Sequence, residues 1–510
     1  MKKLFVIHPF LFAVYPVLFL YSHNIEQSSL SDIIWPVIVL VLFITIAQTL
    51  LTLVFYKTTK QQIGKLKIAL VISLFLIVFF SYGHVFNLLE GFSIAGYLIG
   101  RDRYILIMSF IVLATGTYFI IRTKKNLQNL SKTLNVAAGI LVIITIGNIS
   151  IYELKDDVNS MNIEGVGLEN SKGSSENIKE LPDIYYIILD AYASSKTLRE
   201  IYGFDNSGFE NFLKDKGFYI ASRSRSNYAE TRLSLSSSLN MVHINTFGDK
   251  LDLPMLHKLF QENKVTRILK SKGYNIVNIS SNIGKFQNLK YADWNVKCGS
   301  FLADEFQTTL IETTILGAFK QYIHFAYFYR EKILCTLSTL GEVKNKIRKP
   351  FFVFAHIMPP HPPYVFGPHA EPVNSSLDLT NWGKLWVQKE RYIDQVIFVN
   401  NEMKKIIPRI LKSEREPIII IQGDHGPQIT SKTTFEDEAI KARMRILNAF
   451  YLPKNDSSFL YDSITPVNTF RLIFNRYFNM KYESQEDKSY FTRYAMPYKF
   501  KDVTDVTAQF

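Results

Sequence analysis

The stretch Ile418-Ile419-Ile420-Ile421-Gln422-Gly423-Asp424-His425-Gly426-Pro427 runs four β-branched residues into a glycine. It then sets a carboxylate and an imidazole side by side before a second turn. Such a run reads as a buried strand of a mainly parallel sheet. Open α/β sheets bind ligands at the C-terminal edge of their strands, so Asp424 and His425 are placed to hold a divalent metal. Taken alone, the decapeptide reads equally well as a strand followed by a polar turn. Asp183–Tyr192 repeats the device, with an apolar strand ending on the carboxylate of Asp190.

A hydroxyl and a further imidazole accompany these groups. Asn227–Asn240 carries small and hydroxyl residues with Leu233, Leu235 and Leu239 as its apolar positions, and reads as a tight turn into a buried helix with Thr231 in the first turn. Free N–H groups and the positive end of the helix dipole favour a phosphoryl group there. A hydroxyl at that place becomes a nucleophile when a metal lowers its pKa; the alternative is a helix cap. Arg232 beside it either steadies phosphate charge or forms a surface ion pair. Phe351–Ala355 is a hydrophobic strand leading into a loop stiffened by Pro359, Pro360, Pro362 and Pro363, which presents His361 as a donor to a substrate oxygen. His356, at the strand end, reads as a satisfied structural histidine. Asp293 and Trp294 are weaker candidates for a substrate groove.

These residues need a scaffold. Further strands are expected at Tyr274–Ser280 and Ile446–Leu452, with amphipathic stretches at Val265–Lys272, Arg391–Leu411 and Val467–Tyr477. Strands alternating with helices argue for an α/β domain with a mostly parallel sheet. The 510 residues are too many for one ordinary domain, and the 47% hydrophobic content averages two unlike parts. Five runs approach the roughly 20 apolar residues that cross a bilayer: Leu4–Tyr21, Ile33–Tyr56, Ile68–Phe86, Tyr104–Ile121 and Leu134–Tyr152. Lys2, Lys3, Lys57, Lys60, Lys65, Lys67, Arg122, Lys124, Lys125 and Lys132 fall in alternate connections, which puts the N-terminus in the cytoplasm and everything after Tyr152 outside. No small-residue cleavage site follows the first run, so it does not read as a signal peptide.

The expected organisation is therefore a five-span membrane domain over 1–152, a polar linker over 153–182 and an external domain over 183–510. With that topology the net charge of +13 reflects membrane-proximal loops and affinity for anionic lipid or glycan, and no nucleic-acid partner is expected. The two cysteines, Cys298 and Cys335, lack metal-site spacing. They form either one disulfide or two separate thiols.

Taken together, Asp190, Thr231, Asp424 and His425 supply four ligands for one divalent ion. With these residues, the His361-Pro362-Pro363-Tyr364 loop and the five-span N-terminus, the chain resembles the alkaline phosphatase superfamily. The similarity is to its sulfatase-like branch, which includes lipoteichoic acid synthase and phosphoethanolamine transferases. The resemblance implies an alkaline-phosphatase-like α/β domain in which Asp190, Thr231, Asp424 and His425 bind the metal. Thr231 would form a phospho-threonine intermediate, and His361 would contact the transferred group or assist proton transfer. Two departures narrow it. Thr231-Arg232-Leu233-Ser234-Leu235 replaces the Cys/Ser-x-Pro-x-Arg context that sulfatases convert to formylglycine, which disfavours sulfate-ester hydrolysis. Asp394 is followed four residues later by Phe398 rather than His, so one metal is expected rather than two. Manganese fits the resemblance to lipoteichoic acid synthase; zinc and magnesium are not separated from it by ligand type.

The expected function is a multi-pass protein of the cytoplasmic (inner) membrane with an extracytoplasmic catalytic domain. It would be a metal-dependent phosphotransferase moving a phosphoglycerol- or phosphoethanolamine-type head group from a membrane phospholipid to an envelope glycan or lipid. A phosphoester hydrolase and an inactive lipid-sensing relative are the alternatives.

Overall fold

The computed structural model describes residues 6–25, 28–59, 64–94, 97–98, 100–161, 181–281, 285–299, 304–322, 325–373, 382–493 and 495–509. The chain forms two compact units: Met1–Val158 together with Phe301–His324, and Asn159–Ser300 together with Phe325–Phe510. Most of the segment expected to be a linker, 162–180, lies outside the described residues.

The first unit is helical, with α1 (His8–His23), α2 (Leu30–Thr59), α3 (Lys65–Leu89), α4 (Asp102–Arg122) and α5 (Gln128–Met161). Among the described residues, four helices are long and apolar enough to cross a membrane: Leu30–Val54, Lys65–Leu89, Asp102–Arg122 and Gln128–Leu154. The first apolar run, expected as a span from Leu4, forms a helix of 16 residues, about 24 Å of rise against a hydrocarbon core of about 30 Å. Ala13, Val17, Ile68, Ile72 and Leu76 pack inside this unit, while Phe43, Phe110, Phe119 and Ile143 stay exposed. Such a lipid-facing apolar surface is what a bilayer solvates. The helix Glu305–Glu312 joins the same core through Phe306 and Leu310. Gln307 Nε2 donates to the Asp32 carbonyl at 2.7 Å.

The second unit is built on a seven-stranded sheet of β1 (Ile184–Leu189), β2 (Tyr219–Ile220), β3 (Asn275–Ser280), β4 (Trp294–Val296), β5 (Phe351–Ile357), β6 (Ile418–Gln422) and β7 (Asn448–Tyr451). Its spatial order is β2-β7-β6-β1-β5-β3-β4. The pairs β6-β1, β1-β5, β5-β3 and β3-β4 are parallel, and β2-β7 and β7-β6 are antiparallel. Strands β1, β5 and β6 are buried along their whole length, the signature of a parallel sheet covered on both faces.

Helices α6 (Thr231–Asn240) and α8 (Pro466–Phe478) pack on one face, through Leu235, Leu239, Phe470 and Phe474. Helix α7 (Lys389–Leu411) packs on the other through Tyr392, Val396, Val399 and Met403. The edge strands β2 and β4 are only two and three residues long. They escape a reading based on apolar runs because their side chains are half-exposed. Cys298 and Cys335 are joined as a disulfide.

Candidate active site

The central position of β1, with β5 and β6 on either side, decides where the chemistry gathers. In register, Ile188 stands beside His356 and Gln422. Asp190, His356 and Asp424 therefore emerge together at one sheet edge, with potential ligand atoms all within 4.8 Å of one another. The backbone is tight here. A Cβ at Gly423 would lie 2.4 Å from the Tyr192 carbonyl oxygen, and one at Gly426 would lie 2.0 Å from that of Ala442. Only glycine allows these approaches. Ala191 takes a positive φ of 61°, and its N–H donates to Asp424 Oδ1 at 3.1 Å. A strained non-glycine residue of this kind costs about 1–3 kcal/mol and persists where surrounding structure enforces it.

Thr231 is the first residue of α6, and the cap position belongs to Glu230, whose side chain makes no capping bond. The Thr231 hydroxyl turns instead to the strand ends. Its Oγ1 lies 3.1 Å from His425 Nε2 and 3.5 Å from Asp190 Oδ2. Ser234 Oγ donates to the Asp424 carbonyl at 2.7 Å and ties the first turn of α6 to the Asp424 loop.

His425 Nδ1 is 2.9 Å from the Gly426 carbonyl. A carbonyl only accepts, so Nδ1 carries the proton and Nε2 offers its lone pair. Arg443 donates to that lone pair through Nη2 at 3.2 Å, to the Gly426 carbonyl through Nη1 at 3.0 Å and to the Ala229 carbonyl through Nε at 2.6 Å.

The residues fit a divalent cation. Asp190 Oδ1 and Asp424 Oδ2 are buried without a hydrogen-bond partner, an arrangement normally costly for carboxylates. They lie 3.7 and 3.5 Å from His425 Nε2. Donors about 2.0–2.2 Å from a tetrahedral ion stand about 3.3–3.6 Å apart, so these spacings suit a shared ion. His356 Nε2 donates to the other Asp190 oxygen, Oδ2, at 3.0 Å, and its ring is fully buried. That is the position of a group that orients a ligand.

Electrostatics separate the two carboxylates. Burial drives Asp190 upward, but the His361, His356 and His425 rings outweigh it and hold Asp190 well below the usual carboxylate range. Burial, then the Asp190 charge, push Asp424 up to about 7. Burial also holds His361 and His425 below their ordinary values, so both rings are neutral near neutral pH.

His361 sits on the proline loop, its Nδ1–H bonded to the Pro362 carbonyl and its ring centroid 6.3 Å from that of His425. Gln395 of α7 holds the loop, donating to the His361 carbonyl at 3.1 Å and accepting from the Val365 N–H at 3.0 Å. Trp386 meets His361 edge-on at 4.7 Å between ring centroids, and the Arg443 guanidinium stacks 5.3 Å from the Trp386 ring.

Two expectations are corrected by position. Asp293 accepts from the Ile276 N–H at 2.7 Å and pairs with Lys270. With Trp294 opening the edge strand β4, it serves the far side of the sheet. His356 reads as structural in sequence yet contacts Asp190 directly. Arg232 is ion-paired to Glu230 at 3.0 Å. Arg443, Trp386 and Glu230 escaped sequence reading, because nothing in their local pattern marks them. For His356 a signal existed: it follows an apolar strand just as Asp190 does.

The fold and the site define an α/β enzyme with a buried acid–imidazole–hydroxyl centre, carried on a chain with membrane-crossing helices. The sulfatase family model matches residues 214–470, half of the chain, and the chain belongs to that family, within the alkaline phosphatase superfamily. Solved structures are similar at low identity. An integral membrane lipooligosaccharide phosphoethanolamine transferase from Neisseria meningitidis is 12% identical over 92% of this chain and 94% of its own, with a TM-score of 0.40. The C-terminal periplasmic domain of EptC from Escherichia coli, in complex with zinc, is 11% identical over 60% and 84%, with a TM-score of 0.39. A putative sulfatase from Bacteroides thetaiotaomicron is 11% identical over 62% and 74%, also with a TM-score of 0.39. At this level the similarities carry nothing about activity. No curated protein sequence matches the chain.

Proposed function

We propose that this protein is a metal-dependent phosphotransferase anchored in the cytoplasmic membrane and acting outside it, with Thr231 as its nucleophile. The observation that carries the reading is the Thr231 hydroxyl, at the first position of a buried helix, 3.1 Å from the His425 lone pair and beside two orphaned carboxylate oxygens. Asp190, Asp424, His425 and Thr231 would hold one divalent ion, manganese or zinc. When bound, the ion would lower the pKa of the hydroxyl and neutralise phosphoryl charge.

The chain's own groups account for the rest. Thr231 Oγ forms a bond to phosphorus as the bond from phosphorus to the lipid oxygen breaks. Neutral His361 accepts the threonine proton and passes it to the departing oxygen. The leaving diacylglycerol thus carries the proton away, and the head group stays on Thr231 as a phosphodiester. An acceptor hydroxyl on an envelope glycan or lipid then repeats the displacement, returning the proton to Thr231. Arg443 steadies the charge beside the reacting phosphorus. The apolar helices tether the chain to the membrane that contains the donor.

The test is intact-mass spectrometry of the full-length protein in detergent after exposure to membrane lipid and manganese. A covalent adduct mapped to Thr231 and absent from Thr231→Ala supports the reading. Full transfer activity in Thr231→Ala sinks it. A hydrolase shares the first half-reaction, and product analysis with and without a glycan acceptor separates the two. Loss of metal ligands would be expected of an inactive sensor, and Asp190, Asp424 and His425 are all present.

A further inference from the structure

The second unit is interrupted. Its chain leaves at Ser300 and resumes at Phe325, and the intervening Phe301–His324 belongs to the helical unit instead. Cys298 and Cys335, joined as a disulfide, stand on either side of this insertion, and both belong to the second unit.

Local chemistry builds the insertion as two short helices. Asp304 caps the first, its Oδ1 accepting from the Phe306 N–H at 2.9 Å. Glu305–Glu312 then commits Phe306 and Leu310 to the core of the helical unit. Two glycines allow the backbones to close on one another after it. A Cβ at Gly317, or one at Gly83 of α3, would lie 2.6 Å from the Glu312 carbonyl oxygen. The Gly83 N–H also lies 3.0 Å from the Thr313 carbonyl. With Gln307 bonded to the Asp32 carbonyl, the insertion holds the start of α2 and the last part of α3. The connection between those helices carries Lys57, Lys60, Lys65 and Lys67. The insertion therefore sits at the bundle end away from these lysines, which the charge pattern puts outside the cell.

The second helix, Ile315–Tyr322, packs on α3 and α4. Leu316 and Phe319, three residues apart on a 3-10 helix, share a face. They are 45% and 43% exposed. The same bundle end also exposes Trp35 at the start of α2, Leu88 at the end of α3 and Phe92 just beyond it. Tryptophan at this level is an interfacial anchor. Exposed Leu and Phe beside helices that cross a bilayer find their natural cover in lipid.

We infer that the insertion is a second membrane attachment of the external unit. Residues 305–322 lie in the outer head-group region, with Leu316 and Phe319 turned into the acyl boundary. The partner is the lipid surface of the outer leaflet. The second unit is thereby attached at two places along the chain, after α5 and through this insertion, and the disulfide keeps the two ends of the insertion together. This rests on the membrane-crossing reading of α2–α5 and is independent of the phosphotransfer chemistry.

The first test uses the full-length protein in phosphatidylcholine vesicles, with a nitroxide-labelled cysteine substituted singly for Leu316, Phe319, Ile143 or Glu414. Ile143 is an exposed position of α5, and Glu414 is an exposed position of the second unit. The ratio of collision with oxygen to collision with a polar nickel complex should be at least about threefold higher at 316 and 319 than at Glu414. Ratios at 316 and 319 equal to that of Glu414 overturn the inference. If Ile143 also matches Glu414, the membrane reading falls with it.

The second test cuts the chain at a protease site placed after Gly173. The fragment carrying the second unit should stay with the vesicles through a buffer wash. Replacing 305–322 by a Gly/Ser loop, with the disulfide kept, should lower the retained fraction at least about threefold. Release of the parent fragment, or equal retention with the loop, overturns the attachment.

Discussion

His425 gives its Nδ1–H to the Gly426 carbonyl at 2.9 Å and thereby aims the Nε2 lone pair at Thr231 Oγ1, 3.1 Å away. The imidazole is thus in the tautomer a metal ligand needs, and the hydroxyl lies beside it. His425→Gln keeps a side chain of similar reach but loses the fixed lone pair. It should weaken binding of manganese or zinc by at least ~10-fold, measured by titration calorimetry on the full-length protein in detergent. Unchanged affinity would remove His425 from the ligand set.

His356 touches Asp190 through Oδ2, whereas Oδ1 is the oxygen 3.7 Å from His425 Nε2. His356→Ala should lower metal affinity ~10- to 100-fold. His356→Gln, which can still donate to Asp190, should recover part of that loss. A purely structural histidine would instead show equal affinity and a lower melting temperature in both variants.

Protons should compete with the metal at one residue. Asp424 is raised to about 7 by burial and by the Asp190 charge, whereas burial holds His361 and His425 below their ordinary values. Below about 7 the metal must displace the Asp424 proton, so affinity should fall ~10-fold per pH unit as pH drops. Above 7 this dependence should vanish. Calorimetry in buffers of different ionisation enthalpy would count the proton released. A flat profile between pH 5.5 and about 7 would rule out Asp424 as the titrating ligand.

Gly423 has no room for a Cβ, since the Tyr192 carbonyl lies 2.4 Å from where it would sit. Gly423→Ala must push apart the Asp190 and Asp424 strand ends. It should cost about 1–3 kcal/mol of stability and lower metal affinity as well, both read from melting curves with and without manganese. A variant as stable as the parent with intact affinity would show that the backbone yields freely there.

The Cys298–Cys335 disulfide closes a loop with a sequence separation of 37. Chain entropy for a loop of that size corresponds to about 4 kcal/mol. The doubly substituted Cys298→Ser, Cys335→Ser protein should melt markedly lower. Equal melting temperatures would mean that the folded unit holds the loop without the bond.

Several elements are legible in the amino-acid order because they depend on local chemistry. The apolar runs mark the membrane helices, and Ile418–Gln422 and Phe351–Ile357 announce buried strands by their unbroken hydrophobicity. The glycines around Asp424 and His425 announce turns. Short, half-exposed strands such as Trp294–Val296 carry no such signal, since pairing rather than burial creates them.

Tertiary structure alone decided which groups meet. Sequence places Asp190 and Asp424 at the ends of two strands, but only the order β6-β1-β5 makes those ends neighbours and brings His356 up to Asp190 from the other side. It also delivers Arg443 to His425, although neither residue's neighbours predict it, and groups Phe301–His324 with the helical unit. The physical reason is the same in each case. Strand and helix formation follow from the side chains along a segment, whereas register, sheet order and close approach are set by contacts between residues far apart in the chain. The Gly423-Asp424-His425-Gly426 turn shows both levels. Its glycines are readable as turn formers, but the carbonyls of Tyr192 and Ala442 that make them indispensable come from elsewhere in the fold.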